Sequence, residues 1–338
     1  MKVMMNRPNK YADGVFEGGG VKGIGLVGAV AYAEEIGYQW ERLAGTSAGA
    51  IVACLLAAGY TALEIKDSLM ELDYGIFKDP TLGVKVPVIS SMIGLVFFKG
   101  LFRGKRVETW LRDLLMRKGI RTFGDLYRKE DQAEASRLQV IASDLSRGRM
   151  LVLPDDLVDY GYKPWQFEVA SAVRMSMSIP YFFQPVVLPC HQVRSTGKSY
   201  IVDGGLLSNY PIWLFDSKET PRWPTFGFRL VEPDYFEPHE IKGPISLFGA
   251  MVSTILEAHD ERHIKDSNFD RTIPIPTLGT KTTEFDLNFQ RRQALFDAGY
   301  ESARAFFSQW RWHNYVTQHT RIWRDQKIEI MKRRAKDN

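Results

Sequence analysis

Cysteine is scarce in this chain: its 338 residues include two, Cys54 and Cys190. Two thiols build no disulfide framework, so a reducing compartment is expected. Cys54 sits within the apolar run 50–58 and reads as a core residue. Long hydrophobic runs are missing too. The most apolar region, residues 86–98, is broken by Pro87, Ser90, Ser91 and Gly94 and is too short to span a bilayer. Residues 1–14 carry no apolar stretch behind their charges, so no signal peptide is expected. Nor does one sign of charge dominate: 44 Lys and Arg face 40 Asp and Glu, a net charge of +4. Residues 321–338 hold seven basic and three acidic side chains, which accounts for that whole excess. A near-neutral body argues against nucleic acid as a partner. The basic tail reads first as a solvated helix and second as a membrane-surface contact. Together these absences predict a cytoplasmic protein that is at most peripheral at membranes. Its composition, 45% hydrophobic and 25% charged, is that of a chain with a substantial core.

The first sixty residues read as strand, helix, strand, helix. Residues 14–16 form a short strand that enters the glycine-rich turn 18–23. A helix follows to about Ile36, with Gly37 as its C-cap. Residues 42–44 are a second strand, and the helix 48–58 stops at Gly59. This alternation predicts an α/β fold with a mainly parallel central sheet covered by helices. Further on, 105–118 and 164–177 look helical, and 138–141 with 150–153 looks like a hairpin. Residues 186–188, 200–202 and 225–228 look like strands. The stretches 245–265 and 288–312 are amphipathic helices. The organisation predicted is an N-terminal segment (1–13), one α/β domain (14–312) and a basic helical tail (313–338).

Three segments carry chemistry. Gly45-Thr46-Ser47-Ala48-Gly49 is a G-x-S-x-G pentapeptide between a strand and an apolar helix. Such a turn projects the serine hydroxyl above a helix N-terminus, and flanking glycines let the backbone pass close. Alone, the same pattern also suits a serine that merely caps a buried helix. Glu17-Gly18-Gly19-Gly20-Val21-Lys22-Gly23 ends the first strand. Its backbone N–H groups, with that of Ala48, suit an oxyanion hole. Gly18, Gly20 and Gly23 also satisfy G-x-G-x-x-G, but a dinucleotide site needs an acidic residue at the end of the second strand. Thr46 and Ser47 stand there instead. Asp203-Gly204-Gly205 follows a strand, where open α/β sheets build their sites, although a turn aspartate bonding its own backbone fits as well.

Taken together and in this order, the three segments resemble the patatin-like phospholipase family, and Ser176-Met-Ser-Ile-Pro180 resembles its pre-aspartate segment. The likeness covers roughly residues 15–211. It implies a three-layer α/β/α fold with a helical C-terminal extension. It implies Ser47 as nucleophile, Asp203 as base, and N–H groups around Gly18, Gly19 and Gly20 as the oxyanion hole. The activity implied is that of a phospholipase A or esterase acting on lipid or phospholipid esters. The chemistry requires no metal and no cofactor.

Two other readings remain. An α/β-hydrolase with a Ser-His-Asp triad normally has several strands before its elbow, whereas Ser47 follows the second. His259 and His263 at i,i+4 with Asp260 echo a zinc-protease helix, but the glutamate that motif needs is absent. A non-catalytic lipid-binding module on the same fold is the other alternative. Residues 84–102, apolar and punctuated by glycine and proline, are expected either to form a flap at a lipid surface or to lie in the core.

Overall fold

The computed structural model describes residues 10–77, 99–127, 136–190, 197–217, 219–232, 270–282 and 284–319, with single positions 79, 241, 243, 250 and 254. The expected flap lies outside these residues except for 99–102. So do the expected helix 245–265 apart from 250 and 254, the pair His259 and His263, and the tail beyond residue 319.

Strand β1 (Lys10–Phe16) is buried on both faces from Ala12 onward, as a central strand must be, and so it shows no polar alternation. Strand β2 (Tyr38–Thr46) pairs parallel to one edge of it. The other edge takes β9 (Thr225–Val231), also parallel, and β10 (Thr272–Pro276) lies beyond. Both early strands are longer than the sequence reading, because Tyr38 and Trp40 also turn inward. The core beneath them is aromatic: Phe16 stacks on Phe228 at 4.7 Å, and Trp40 meets the same ring edge-on at 5.7 Å. The C-terminal ends of these parallel strands share one edge of the sheet.

Beyond β2 lies β4 (Leu138–Asp144), parallel to it. Three strands compete for the two edges of β4, and the outcome assembles the site. Val140 and Ile141 pair with both β2 and β5 (Arg149–Leu153), so those two strands hold opposite edges. Residues 142–144 pair with both β5 and β8 (Lys198–Asp203), so β8 occupies the edge that β2 has just vacated. Thr46 pairs with Ile141, and Asp203 pairs with the next residue, Ala142. Because β8 runs antiparallel to β4, the C-terminal ends of β2 and β8 meet end to end. Strand β7 (Val186–Pro189) closes that side, and a small second sheet pairs β3 (Gly100–Phe102) with β6 (Tyr181–Phe183).

Helix α1 (Gly23–Glu35) is rich in glycine and alanine, and its small residues admit a close neighbour. Helix α6 (Phe289–Gln309) takes that place: a Cβ on Gly28 would strike the Phe296 carbonyl, and one on Gly299 the Gly25 carbonyl. Helix α2 (Ala48–Ala57) is buried along its whole length and stops at Gly59, whose φ of +88° suits glycine. Helix α3 (Ala62–Glu71) opens on a capping box made by Thr61 and Glu64. Helix α4 (Lys105–Arg117) comes next. The helix expected over 164–177 is interrupted. Pro164–Gln166 is a single 3-10 turn, and Thr122 bridges Glu168 in antiparallel fashion. Backbone bonds from Phe123 to Phe167 and from Val169 to Arg121 hold 167–168 extended, so α5 starts only at Val169 and ends at Ser176. After α6, Tyr315 stays buried and its hydroxyl accepts the Thr225 N–H at 3.2 Å. No helix among the described residues is long and apolar enough to cross a membrane.

Candidate active site

Ser47 lies where β2 turns into α2 with no intervening loop. Its φ of 52° and ψ of −122° are backbone angles that L-residues rarely adopt, a strain costing on the order of 1–3 kcal/mol. The flanking glycines make the turn feasible. A Cβ on Gly45 would run into the backbone of Gly49 and Ala50, and one on Gly49 into the Phe16 and Glu17 carbonyls. The elbow therefore sits directly against the end of β1. The Ser47 N–H donates to Ser176 Oγ at 2.8 Å. Behind it, the Ala48 N–H is the first of α2 and has no partner within the helix. The positive end of the α2 dipole points the same way.

The glycine loop leans on this elbow. A Cβ built on Gly18 would lie 3.2 Å from the Ser47 Cβ, and one on Gly23 3.2 Å from the Ala48 Cβ. Gly18 was expected among the oxyanion donors, but its N–H donates to the Asn209 carbonyl at 3.1 Å, and Asn209 Nδ2 donates back to the Gly18 carbonyl at 3.2 Å. These two bonds tie Gly18 to Asn209. Outside helices and strands, no backbone hydrogen bond among the described residues uses the N–H of Gly19, Gly20 or Ala48. Lys22, within the same loop, is tied to Glu232 at 2.6 Å and so joins the loop to the end of β9.

Asp203 ends β8 and is buried. Its N–H donates to the Ser178 carbonyl at 2.9 Å, and its Oδ1 accepts the Gly205 N–H at 2.8 Å. Oδ2 makes no hydrogen bond among the described residues. Burial pushes the carboxyl up from 3.8 to about 7, against the opposing pull of the Gly205 N–H, the Ser47 hydroxyl and the Arg174 guanidinium. The Ser47 hydroxyl is thus close enough to the carboxyl to favour its charged form. A base with a pKa near neutrality suits proton abstraction better than an ordinary carboxylate does.

Sequence reasoning missed four residues here. Asn209 reads as an ordinary turn residue, yet it anchors the glycine loop. Ser176 and Ser178 were noted in a resembling segment without roles. Arg174 is buried on α5, where its Nη2 donates to the Arg103 carbonyl at 2.6 Å and to the Gln184 carbonyl at 3.0 Å. Its signal was visible: a lone charge between the apolar Val173 and Met175. Of the six histidines, His313 and His319 are described, and both follow α6; His319 neighbours Asp216 and Arg271, at the opposite edge of the sheet from Ser47. Among the described residues, no histidine stands beside Ser47.

An apolar pocket opens beside this elbow. Gly20, Gly23 and Ala48 line it together with apolar side chains that include Ile24, Ile51, Val52 and Phe77.

Residues 14–216 match the patatin-like phospholipase family. Protein YqhO of Bacillus subtilis is 44% identical over 89% of this chain and 99% of its own length. The protein of Invertebrate iridescent virus 6 named "probable lipid hydrolase 463L" is 26% identical over 61% of this chain; the match spans 63% of the viral protein. Among solved structures, VipD from Legionella pneumophila superposes with a TM-score of 0.51 at 18% identity, over 89% of this chain and 67% of VipD, a likeness of fold. With its family match spanning elbow, glycine loop and aspartate, this chain belongs to the patatin-like phospholipases.

Proposed function

We propose that this chain hydrolyses carboxylic esters of lipids, as a phospholipase A or esterase, through Ser47 and Asp203. The observation that carries the reading is the meeting of a strained serine elbow with a buried aspartate of raised pKa at the joined ends of β2 and β8. Ser47 Oγ attacks the ester carbonyl carbon as its proton passes to Asp203. The carbonyl oxygen becomes an oxyanion that the N–H groups of Gly19, Gly20 and Ala48 are free to receive. The C–O bond then breaks, the leaving alcohol takes the proton from Asp203, and an acyl-Ser47 ester remains. Water, deprotonated by the same carboxylate, releases the fatty acid.

The apolar pocket supports a lipid acyl group as the substrate portion. Two of the proposed oxyanion donors, Gly20 and Ala48, are among its lining residues, so an acyl chain on a carbonyl held by them would lie next to it. The test is release of p-nitrophenol from p-nitrophenyl butyrate and of fatty acid from phosphatidylcholine vesicles, with a fluorophosphonate label mapped to Ser47. Activity that persists in Ser47→Ala, or a wild-type protein that neither turns over nor labels, refutes the reading; the second result leaves a lipid-binding module.

A further inference from the structure

Ser47 and Asp203 come from strands that do not pair with each other. Both lean on β4, but neighbouring positions on one strand set only their approximate approach. A more direct link runs through the C-terminal turn of α5. Ser176, wholly buried, accepts the Ser47 N–H on its Oγ at 2.8 Å. Two residues later, the Ser178 carbonyl accepts the Asp203 N–H at 2.9 Å. One short stretch thus grips the backbone of both proposed catalytic residues.

That stretch is itself braced. Ser178 Oγ donates to the Arg174 carbonyl at 2.8 Å and receives Arg174 Nη1. Arg174 in turn holds the Arg103 and Gln184 carbonyls. A Cβ on Gly104 would collide with this guanidinium, so the space around it is closed. Asp79 completes the frame by accepting the N–H groups of Gly104 at 2.6 Å and Lys105 at 2.8 Å, at the start of α4. The clip is therefore braced from several sides, and Arg174, Ser176 and Ser178 are buried within it.

We infer that Ser176 is a positioning residue: its hydroxyl holds the Ser47 backbone in its strained conformation and so sets the approach of Ser47 to Asp203. The geometry explains why a hydroxyl is needed there. The Ser47 N–H donates to the fully buried Ser176 hydroxyl and so points into the protein, where an unmet donor is costly. Without the acceptor, the elbow relaxes toward ordinary backbone angles and Oγ moves off line. A shift of about 1 Å in a reacting group costs on the order of 10²-fold in rate.

This inference rests on the proposed Ser47–Asp203 chemistry, and the experiment separates the two. Wild type, Ser176→Ala, Ser176→Cys and Ser176→Thr are compared for kcat and KM on p-nitrophenyl butyrate, rate of fluorophosphonate labelling, and melting temperature. The inference expects Ser176→Ala to lose on the order of 10²-fold in kcat and in labelling rate with KM unchanged. Ser176→Thr, which keeps the acceptor, recovers most of that loss. Should Ser176→Ala fail to fold, Ser176→Cys carries the test, since it keeps the volume and accepts only weakly. Wild-type turnover with a folded Ser176→Ala or Ser176→Cys that retains normal kcat overturns the positioning role. An equal loss in Ser176→Thr and Ser176→Ala also overturns it, because packing would then explain both. A wild-type protein without turnover or labelling overturns the underlying reading instead.

Discussion

Replacing Asp203 by asparagine should remove activity and, above neutral pH, make the protein more stable. The carboxyl has a pKa of about 7 in the folded chain against 3.8 unperturbed, because burial disfavours its charge. Between those values the native state binds more protons than the unfolded state, so stability falls as pH rises through that window. At about 1.4 kcal/mol for each pKa unit, the full cost above pH 7 is about 4 kcal/mol. Asparagine carries no charge to desolvate and can still accept the Gly205 N–H through its carbonyl. Urea unfolding of both proteins at pH 4, 5.5, 7 and 8.5 measures the difference directly. The Asp203→Asn advantage should grow from near zero at pH 4 to a few kcal/mol at pH 8.5. In parallel, wild-type kcat/KM should rise with pH along an acid limb near pH 7, as Asp203 becomes available as a base. A stability difference that is flat with pH, together with an acid limb near pH 4, would falsify the raised pKa and with it the account of this base.

Three further outcomes follow from the geometry. Ser47→Gly removes a side chain from a backbone conformation that favours glycine, so the urea midpoint should rise by the equivalent of about 1 kcal/mol while turnover is lost; a lowered midpoint contradicts the strain. Gly19→Ala drives a Cβ into the Leu230 side chain and would displace a proposed oxyanion donor, so kcat should fall on the order of 10²-fold with KM unchanged. Adding Leu230→Ala should return much of it, and a double variant as poor as the single points to a cause other than that collision. Val52→Phe fills the pocket beside Ala48, so kcat/KM should fall far more for p-nitrophenyl decanoate than for the butyrate; equal losses would place the acyl chain elsewhere.

The elbow was legible because its chemistry is local. A serine between glycines, after a strand and before an apolar helix, has few backbone solutions, and the structure adopts the strained one. Gly37 and Gly59 marked helix ends for the same reason, as positions of positive φ. The interruption of the helix 164–177 was not legible, since it comes from backbone bonds to residues 121–123, which are remote in the chain. Gly18 looked equivalent to Gly19 and Gly20, and only the fold shows that its N–H bonds the Asn209 carbonyl while theirs do not.

The sequence by itself determined the order of the three motifs, the alternation that makes a parallel sheet, and the residue types at the elbow, the loop and the strand-end aspartate. These depend on short-range sterics and on which side chains are apolar. Tertiary structure alone decided that β8 enters the edge of β4 where β2 stops, because strand pairing is chosen among distant segments. From that single choice follow the meeting of Ser47 with Asp203 and the burial that raises the aspartate's pKa. Arg174 and Ser176 acquire their places around Ser47 and Asp203 in the same way, since a side chain's partners depend on what is packed against it.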